Sequence, residues 1–159
     1  MAAIPGLVLP TGVARLVVPA ATVAEVAPEP AALKPLPASE RWVAGYFHWR
    51  NYPVTLISFE SISANLGMPG YSRVCVFHPL PGRQPHDYFA LIVNGEPRTL
   101  EITDSATAAP PPPQLSRRFV AGAIQVEGQT LVIPDFDALQ AAFYPQGRQR
   151  AGSVPVQGE

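Results

Sequence analysis

The chain has 159 residues, of which 47% are hydrophobic and 14% charged, and its formal net charge is −1. This composition supports a packed core and excludes wholesale disorder, and the scattered Arg and Lys residues do not indicate a nucleic-acid backbone or an anionic membrane as partner. Twenty prolines favour short strands and many loops, while the lone cysteine, Cys75, excludes an intrachain disulfide and fits a reducing compartment.

The N-terminal segment is apolar but repeatedly interrupted. Its first basic residue is Arg15, and several prolines and glycines break the run. The segment therefore matches neither a signal peptide nor a membrane span, which needs about 20 uninterrupted apolar residues. We predict strands at residues 6–9 and 14–18 and a cytoplasmic chain without direct membrane insertion. Residues 20–26 fit either a turn of helix or another extended piece.

A repeat organises the chain. Residues 42–62 return as residues 119–139 with a constant offset of 77 and no gap. Each copy reads as an apolar strand, a short polar turn, a second β-branched strand and a residue, Ser58 or Asp135, that can cap a short helix. Two related units predict two similar lobes. The alternative is that two β-rich segments of one domain merely look alike.

The remaining apolar runs complete an all-β pattern with a few short helices. Further strands are predicted from the sequence at residues 73–77, 88–93 and 98–103, with a polyproline connection at 108–113 and a last helix at 136–143. Because crossover helices are missing, small barrels are favoured over a parallel sheet. We centre the first lobe on residues 42–57 and the second on 88–103, and expect the chain ends to cross between the lobes.

Motifs for catalysis or metal binding are missing from the sequence. Cys75 and His78 lie at an odd spacing on a strand and so point to opposite faces, and the apolar neighbours of Cys75 predict a buried, inert thiol. The three histidines lack metal-site spacing, although a cluster assembled from distant segments stays an alternative. With no phosphate loop, nucleophile elbow or HExxH motif, we predict no catalytic residue, cofactor or metal.

The first copy of the repeat is much richer in aromatic residues than the second. Its turn also carries Arg50, where the second copy has Glu127. Aromatic residues and arginine dominate binding hot spots. Trp49 fits either a core position or an interface, and Arg50 fits either an interface or a solvated turn.

This first copy also carries a family resemblance. The pattern Gly45-x-x-x-x-Arg50-Asn51, followed by residues 54–59 (VTLISF), resembles the Gly-x-x-Asn-Leu-Arg-Gly … Val-Pro-Val-Val-Asp-Leu signature of CheW-like domains. Residues 17–26, 36–37, 90–94 and 120–136 agree with the family in order and spacing. The resemblance covers residues 5–143 as one domain of two lobes and leaves 144–159 as a mobile C-terminal tail.

The resemblance implies two interlocked, five-stranded SH3-like β-barrels and a non-catalytic adaptor. Such adaptors join a chemosensory histidine kinase, through its CheW-like regulatory domain, to the cytoplasmic tip of methyl-accepting chemoreceptors. Nucleic acid is not an expected partner. The resemblance implies that the receptor-contacting surface includes Arg50, Val23 and Glu25. The signature motif and the aromatic hairpin add the other predicted partner-binding residues. The predicted partner-binding residues are Val23, Glu25, Gly45, Trp49, Arg50, Asn51 and Tyr52.

Several positions depart from the family signature. Asn51 replaces the turn glycine, Thr55 replaces proline, and Ser58 and Asn94 replace aspartates. With these departures the sequence resembles a divergent branch of the family, of the kind found in pilus-associated (twitching motility) chemosensory systems. The competing interpretations are a small-ligand-binding β-barrel, an uncharacterised enzyme, and an interaction module unrelated to chemosensing.

Overall fold

The computed structural model describes residues 3–36 and 40–143. These residues form β-strands, two short α-helices and two 3-10 turns. The strands are β1 (Ile4–Pro10), β2 (Arg15–Pro19), β3 (Val23–Pro28), β4 (Val43–Trp49), β5 (Tyr52–Ile57), β6 (Arg73–Phe77), β7 (Phe89–Val93), β8 (Arg98–Ile102), β9 (Thr107–Ala109), β10 (Val120–Val126) and β11 (Gln129–Pro134). The helices are α1 (Phe59–Ala64) and α2 (Phe136–Phe143), and the 3-10 turns are Ala20–Thr22 and Arg117–Phe119.

The strands form two sheets, each the frame of one lobe. Lobe 1 is the five-stranded sheet β3-β6-β7-β5-β4, and lobe 2 is the six-stranded sheet β8-β1-β2-β11-β10-β9. Neighbouring strands are antiparallel, except that β5 pairs with β7 and β11 with β2 in parallel. Lobe 2 therefore combines strands from both ends of the described chain, which confirms that the chain ends cross between the lobes.

The sequence repeat is a structural repeat. The first hairpin, β4–β5, turns at Arg50 and Asn51 with φ of 50° and 69°, and the second hairpin, β10–β11, turns at Glu127 and Gly128 with φ of 51° and 77°. Two consecutive positive φ angles are typical of the type I′ turn, whose twist suits a two-residue hairpin. Each hairpin also contains a β-bulge in its first strand, at residues 43–45 and 120–122.

The helix that follows each hairpin begins in the same way. Ser58 Oγ accepts a hydrogen bond from the Ser61 N–H at 3.1 Å, and Asp135 Oδ1 accepts one from the Ala138 N–H at 3.0 Å. These side chains satisfy N–H groups that the first turn of a helix leaves without partners. The predicted helix caps are confirmed.

The equivalence extends beyond the repeated segments. Within the two sheet orders, β3, β6 and β7 of lobe 1 occupy the places that β8, β1 and β2 occupy in lobe 2. A single bridge between Lys34 and Tyr46 flanks β4 where β9 flanks β10. Lobe 2 is thus related to lobe 1 by a circular permutation of the strands.

Among the described residues, three hydrophobic clusters stabilise this arrangement. One lies inside lobe 1 and includes Val54 and Leu56, and one lies inside lobe 2 and includes Val17 and Leu131. The largest cluster is shared by both lobes and contains residues of both sheets, such as Ile57, Leu91 and Leu16. At the end of β5, Leu56 belongs to the inner cluster and the next residue, Ile57, belongs to the shared one, because successive side chains of a strand point to opposite faces.

Three fold expectations need correction. Placing residues 88–103 at the centre of the second lobe was wrong, because β7 belongs to lobe 1. All five residues of β7 are buried, and a parallel neighbour with packing on both faces suits such a continuous apolar run. Lobe 2 has six strands rather than five. In both lobes the first and last strands of the sheet are not hydrogen-bonded to each other. Each sheet is therefore SH3-like but is not a closed barrel.

Two further expectations concern less regular segments. Residues 20–26, left open between helix and strand, are divided between a 3-10 turn and the start of β3. The short strand β9 includes residues 108 and 109, which were predicted to belong to the polyproline connection. The predicted tail at 144–159 lies outside the described residues.

Candidate functional site

Side chains from β3 and the first hairpin meet at one end of lobe 1. The indole N–H of Trp49 donates a hydrogen bond to Glu25 Oε1 at 2.8 Å, and the Arg50 guanidinium lies 3.6 Å from the same oxygen. The guanidinium carbon of Arg50 also lies 4.4 Å from the centre of the Trp49 ring. We call Glu25, Trp49, Arg50, Asn51 and Tyr52 the Arg50 site. A carboxylate and an aromatic face hold its cation.

Exposure separates the roles of these residues. The side chain of Arg50 is 66% exposed and that of Glu25 43% exposed, whereas Trp49 is 8% exposed and belongs to the inner cluster of lobe 1. Of the two interpretations of Trp49, the structure supports the core position. Trp49 acts as the base on which the guanidinium rests, and a cation–π contact at such an exposed site contributes about 0.5–1 kcal/mol.

The backbone at the turn is unusual for the residue it carries. Arg50 has φ of 50°, a left-handed conformation that disfavours side chains other than those of Gly, Asn and Asp. Asn51, with φ of 69°, is one of the tolerated residues. Glu127 has the same conformation at the equivalent position of the second hairpin, with φ of 51°, so the type I′ turn sets this backbone; a glycine at position 50 would suit the turn but would remove the cation.

A row of rings continues the Arg50 site across lobe 1. Tyr52 stacks on His86 at 4.4 Å and on Tyr88 at 5.6 Å between ring centres. Tyr88 also contacts Trp49 at 4.9 Å and His78 at 6.1 Å. Sequence reasoning missed His78, His86 and Tyr88, because only the pairing of β7 with β5 brings His86 and Tyr88 to Tyr52, and His78 joins the row through Tyr88. Their one sequence signal is that they flank the loop between two predicted strands.

The other two predicted residues lie apart from this group. Val23 is half-buried and packs against the shared cluster. Gly45 is buried in the β-bulge of β4 with φ of 145°, and a Cβ atom there would overlap the Lys34 carbonyl oxygen. The structure gives Gly45 a backbone role, and direct contact of either residue with a partner stays a prediction.

Two features of the described residues bear on covalent and metal chemistry: the state of the Cys75 thiol and the placement of the His, Cys, Asp and Glu side chains. Cys75 is fully buried, and this burial raises the pKa of its thiol to about 12, so the thiol is protonated at neutral pH. The prediction that the Cys75 thiol is buried is confirmed. Within residues 3–36 and 40–143, no group of three or more His, Cys, Asp or Glu side chains is placed to hold a metal ion. Nor does that part of the chain contain a helix long and apolar enough to cross a membrane.

A concave surface lies in lobe 2, around the β1–β2 turn. It is an open depression of about 350 Å³ lined by Pro10, Thr11, Val13, Ala14, Arg15, Pro112, Thr130 and Val132. None of these residues belongs to the Arg50 site, so the depression and the Arg50 site are separate surfaces.

Sequence and structure comparisons agree on the family. The sequence model of the CheW-like domain matches residues 5–143. The chain belongs to the CheW-like domain family. The crystal structure of the scaffolding protein TtCheW from Thermoanaerobacter tengcongensis has the same fold, with a TM-score of 0.72 over 94% of this chain and 93% of that chain at 18% sequence identity. No curated protein sequence matches the chain. The resemblance and the two-lobed β fold predicted from the sequence are confirmed.

In this CheW-like domain, two departures from the family signature leave the backbone intact. Asn51 adopts the positive φ of the turn glycine that it replaces, and Ser58 provides the helix cap in place of an aspartate. Thr55 is buried, and Asn94 donates its backbone N–H to the Pro10 carbonyl at 2.9 Å, which ties the two lobes together.

Proposed function

We propose that this CheW-like domain is a non-catalytic, cytoplasmic adaptor that couples methyl-accepting chemoreceptors to a chemosensory histidine kinase. Membership in the CheW-like family supports a scaffold role in chemotaxis. The observation that carries the proposal for this chain is the Arg50 site. Its exposed guanidinium is fixed by Glu25 and Trp49 at a turn position where arginine is disfavoured.

Arg50 is suited to recognise a partner. A guanidinium offers five N–H donors in a fixed fork, and here only Glu25 among the described residues pairs with it, at 3.6 Å. Because two contacts already hold the side chain, binding a partner costs less conformational entropy than binding through a free arginine. We assign Arg50 to the register-setting contact with the helical receptor tip.

The neighbouring residues have supporting roles in the proposal. Asn51 and Tyr52 lie at the rim of the proposed contact, where Asn51 adds hydrogen-bonding groups and Tyr52 adds apolar surface. Glu25 and Trp49 act chiefly by positioning Arg50, because both are engaged with it. Val23 contributes apolar surface at the start of β3. Gly45 allows the β-bulge that bends β4 and thereby orients the turn at Arg50 and Asn51.

We assign the kinase contact to lobe 2, where the CheW-like regulatory domain of the kinase would pair with a surface similar to its own. Support comes from the second hairpin, which has the same backbone as the first without its aromatic and arginine side chains. Two lobes of one fold can therefore carry two different surfaces. Modest contacts of this kind gain strength when many copies are arrayed together.

The test is a co-purification from the native cells. A tagged full-length chain should recover both a histidine kinase and a chemoreceptor. The Arg50→Glu variant should lose the receptor and keep the kinase, with an unchanged circular dichroism spectrum. Equal recovery of the receptor by both forms would show that the site assignment is wrong. Recovery of neither partner by the wild type would refute the adaptor function.

The departures from the family signature favour a pilus-associated chemosensory system as the setting. A strain without this protein should then lose twitching motility and keep its pili. A strain that twitches normally but swims without chemotaxis would contradict this branch and leave the adaptor role intact.

A further inference from the structure

The two lobes differ most in the loop that joins one equivalent pair of strands. In lobe 2, residues 11–14 connect β1 to β2 in a tight turn, closed by a hydrogen bond from the Thr11 N–H to the Ala14 carbonyl at 2.9 Å. In lobe 1, residues 78–88 connect β6 to β7. Length beyond what the fold needs is common in loops that bind partners. We call residues 78–88 the β6–β7 loop.

The β6–β7 loop is fixed by its own hydrogen bonds. Asp87 is 4% exposed, its carboxylate accepts a hydrogen bond from the Gln84 N–H at 3.0 Å, and its own N–H donates to the Gln84 carbonyl at 3.1 Å. At the start of the loop the His78 N–H donates to the Thr22 carbonyl at 3.0 Å. The backbone beside both histidines is therefore held in place. A partner can bind this loop without first ordering it.

The ends of the loop extend the Arg50 site. The ring of His86 lies almost parallel to that of Tyr52, at an angle of 21°, and Tyr52 lies at 25° to Tyr88. Because Tyr88 touches Trp49, on which Arg50 rests, the rings and the guanidinium form one continuous surface. His78 and His86 are both exposed at its edge.

The Arg50 guanidinium is the most open charged group of this surface, because its side chain is 66% exposed against 43% for Glu25. Glu25 Oε1 is engaged by Trp49 and Arg50, and the Asp87 carboxylate is buried and accepts a hydrogen bond within its own loop. The donors that face a partner are the guanidinium, imidazole N–H groups and tyrosine hydroxyls, and the imidazoles and hydroxyls can also accept. Such donors beside flat rings complement carboxylates flanked by small apolar side chains.

We infer that the β6–β7 loop is a second wall of the docking surface and that His78 and His86 select a carboxylate-bearing helical segment of the receptor tip. This inference rests on the proposed adaptor function. It adds a specificity determinant contributed by the β6–β7 loop, outside the signature hairpin.

The test is a calorimetric titration of the full chain with a soluble fragment of a chemoreceptor's cytoplasmic tip from the same organism. Combining His78→Ala with His86→Ala should raise Kd about tenfold, the size expected when two moderate interface contacts are removed. The matched control is His48→Ala. His48 is also exposed, but it lies on β4 opposite Pro53 and its ring contact is with Tyr46, away from the loop.

A second arm tests the partner chemistry. Replacing the carboxylates of the receptor fragment by amides should weaken binding to the wild type and remove most of the difference between the wild type and the double-histidine variant. Coupling of this kind in a double-mutant cycle reports a shared contact. Equal sensitivity of both forms to the amide replacements would overturn the assignment of a carboxylate partner to the histidines.

The remaining outcomes separate the inference from the proposed function. If Arg50→Glu abolishes binding and the double-histidine variant binds like the wild type, the inference is wrong and the adaptor function stands. If the histidine changes weaken binding of the kinase's CheW-like domain instead, the loop belongs to the kinase surface and the inference is also wrong. A wild-type chain that binds no receptor tip contradicts both.

Discussion

The first and second hairpins have nearly the same backbone and different side chains. Both contain a bulge in the first strand, a left-handed two-residue turn and a helix cap at equivalent positions. Position 49 is a tryptophan where position 126 is a valine, and position 50 is an arginine where position 127 is a glutamate. A few residues at the bulge, turn and cap determine the hairpin, so the residues between them are available for binding.

The lobes also use related contacts to tie an edge strand to the hairpin turn. In lobe 1, Glu25 of β3 meets Trp49 and Arg50. In lobe 2, the guanidinium of Arg98 on β8 donates a hydrogen bond to Gln129 Oε1 at 3.0 Å. The arginine lies in the turn of lobe 1 and in the edge strand of lobe 2. Only in lobe 1 does this contact present a cation at the tip of the hairpin.

The largest expected effect on stability concerns the paired positions 49 and 126. Trp49→Ala should lower the free energy of unfolding by about 3–5 kcal/mol, because it leaves a large cavity inside lobe 1. Val126→Ala removes far less volume from lobe 2 and should cost roughly 1–2 kcal/mol. Urea denaturation of both variants measures the difference. Equal losses would show that Trp49 is not a core residue of lobe 1.

The two bulge glycines should respond differently to alanine. A Cβ at Gly45 would overlap the Lys34 carbonyl, and φ of 145° strains any side chain there, so Gly45→Ala should destabilise by about 2 kcal/mol or more. Gly122 has open space around its Cβ position, so Gly122→Ala should change stability by no more than about 0.5 kcal/mol. Thermal unfolding of the pair checks this contrast, and similar melting temperatures would contradict it.

A smaller effect separates the two equivalent helices. In α1, Ser63 Oγ donates to the Phe59 carbonyl at 2.6 Å, whereas at the equivalent place in α2 both amide atoms of the fully buried Gln140 lack a hydrogen-bond partner among the described residues. Gln140→Leu should therefore stabilise the protein by about 1–2 kcal/mol. Ser63→Ala should be neutral or cost up to about 1 kcal/mol. A destabilised Gln140→Leu variant would show that the amide has a polar partner in solution.

Local features of the sequence predicted the local features of the fold. The turn at Asn51, the cap at Ser58 and the β-branched strand between them each depend on neighbouring residues, so they could be predicted directly from the sequence. The partner strand of β7 could not, because five consecutive apolar residues show that a strand is buried without showing in which sheet. The start of β3 was similarly ambiguous, since Ala20–Thr22 forms a 3-10 turn immediately before it.

The candidate site, too, could be predicted from the sequence only where it depends on local features. The composition of the first hairpin indicated Trp49, Arg50 and Tyr52, and the family resemblance added Glu25. The hydrogen bond between Trp49 and Glu25 depends on the curl of lobe 1, which brings β3 to the end of β4. His86 and Tyr88 join the surface only through the parallel pairing of β5 with β7. Contacts between strands distant in sequence have no local signal.

The most direct test of the account is a pair of charge reversals at the two hairpin turns. Arg50→Glu and Glu127→Arg change the same backbone position of the two lobes, and each variant is titrated with the same receptor-tip fragment. Arg50→Glu should raise Kd by about 30-fold or more, the loss expected at a hot spot, while Glu127→Arg should change it by less than about twofold. Equal effects at the two turns, or normal binding by Arg50→Glu, would contradict the claim that the turn of lobe 1 is the receptor-docking surface.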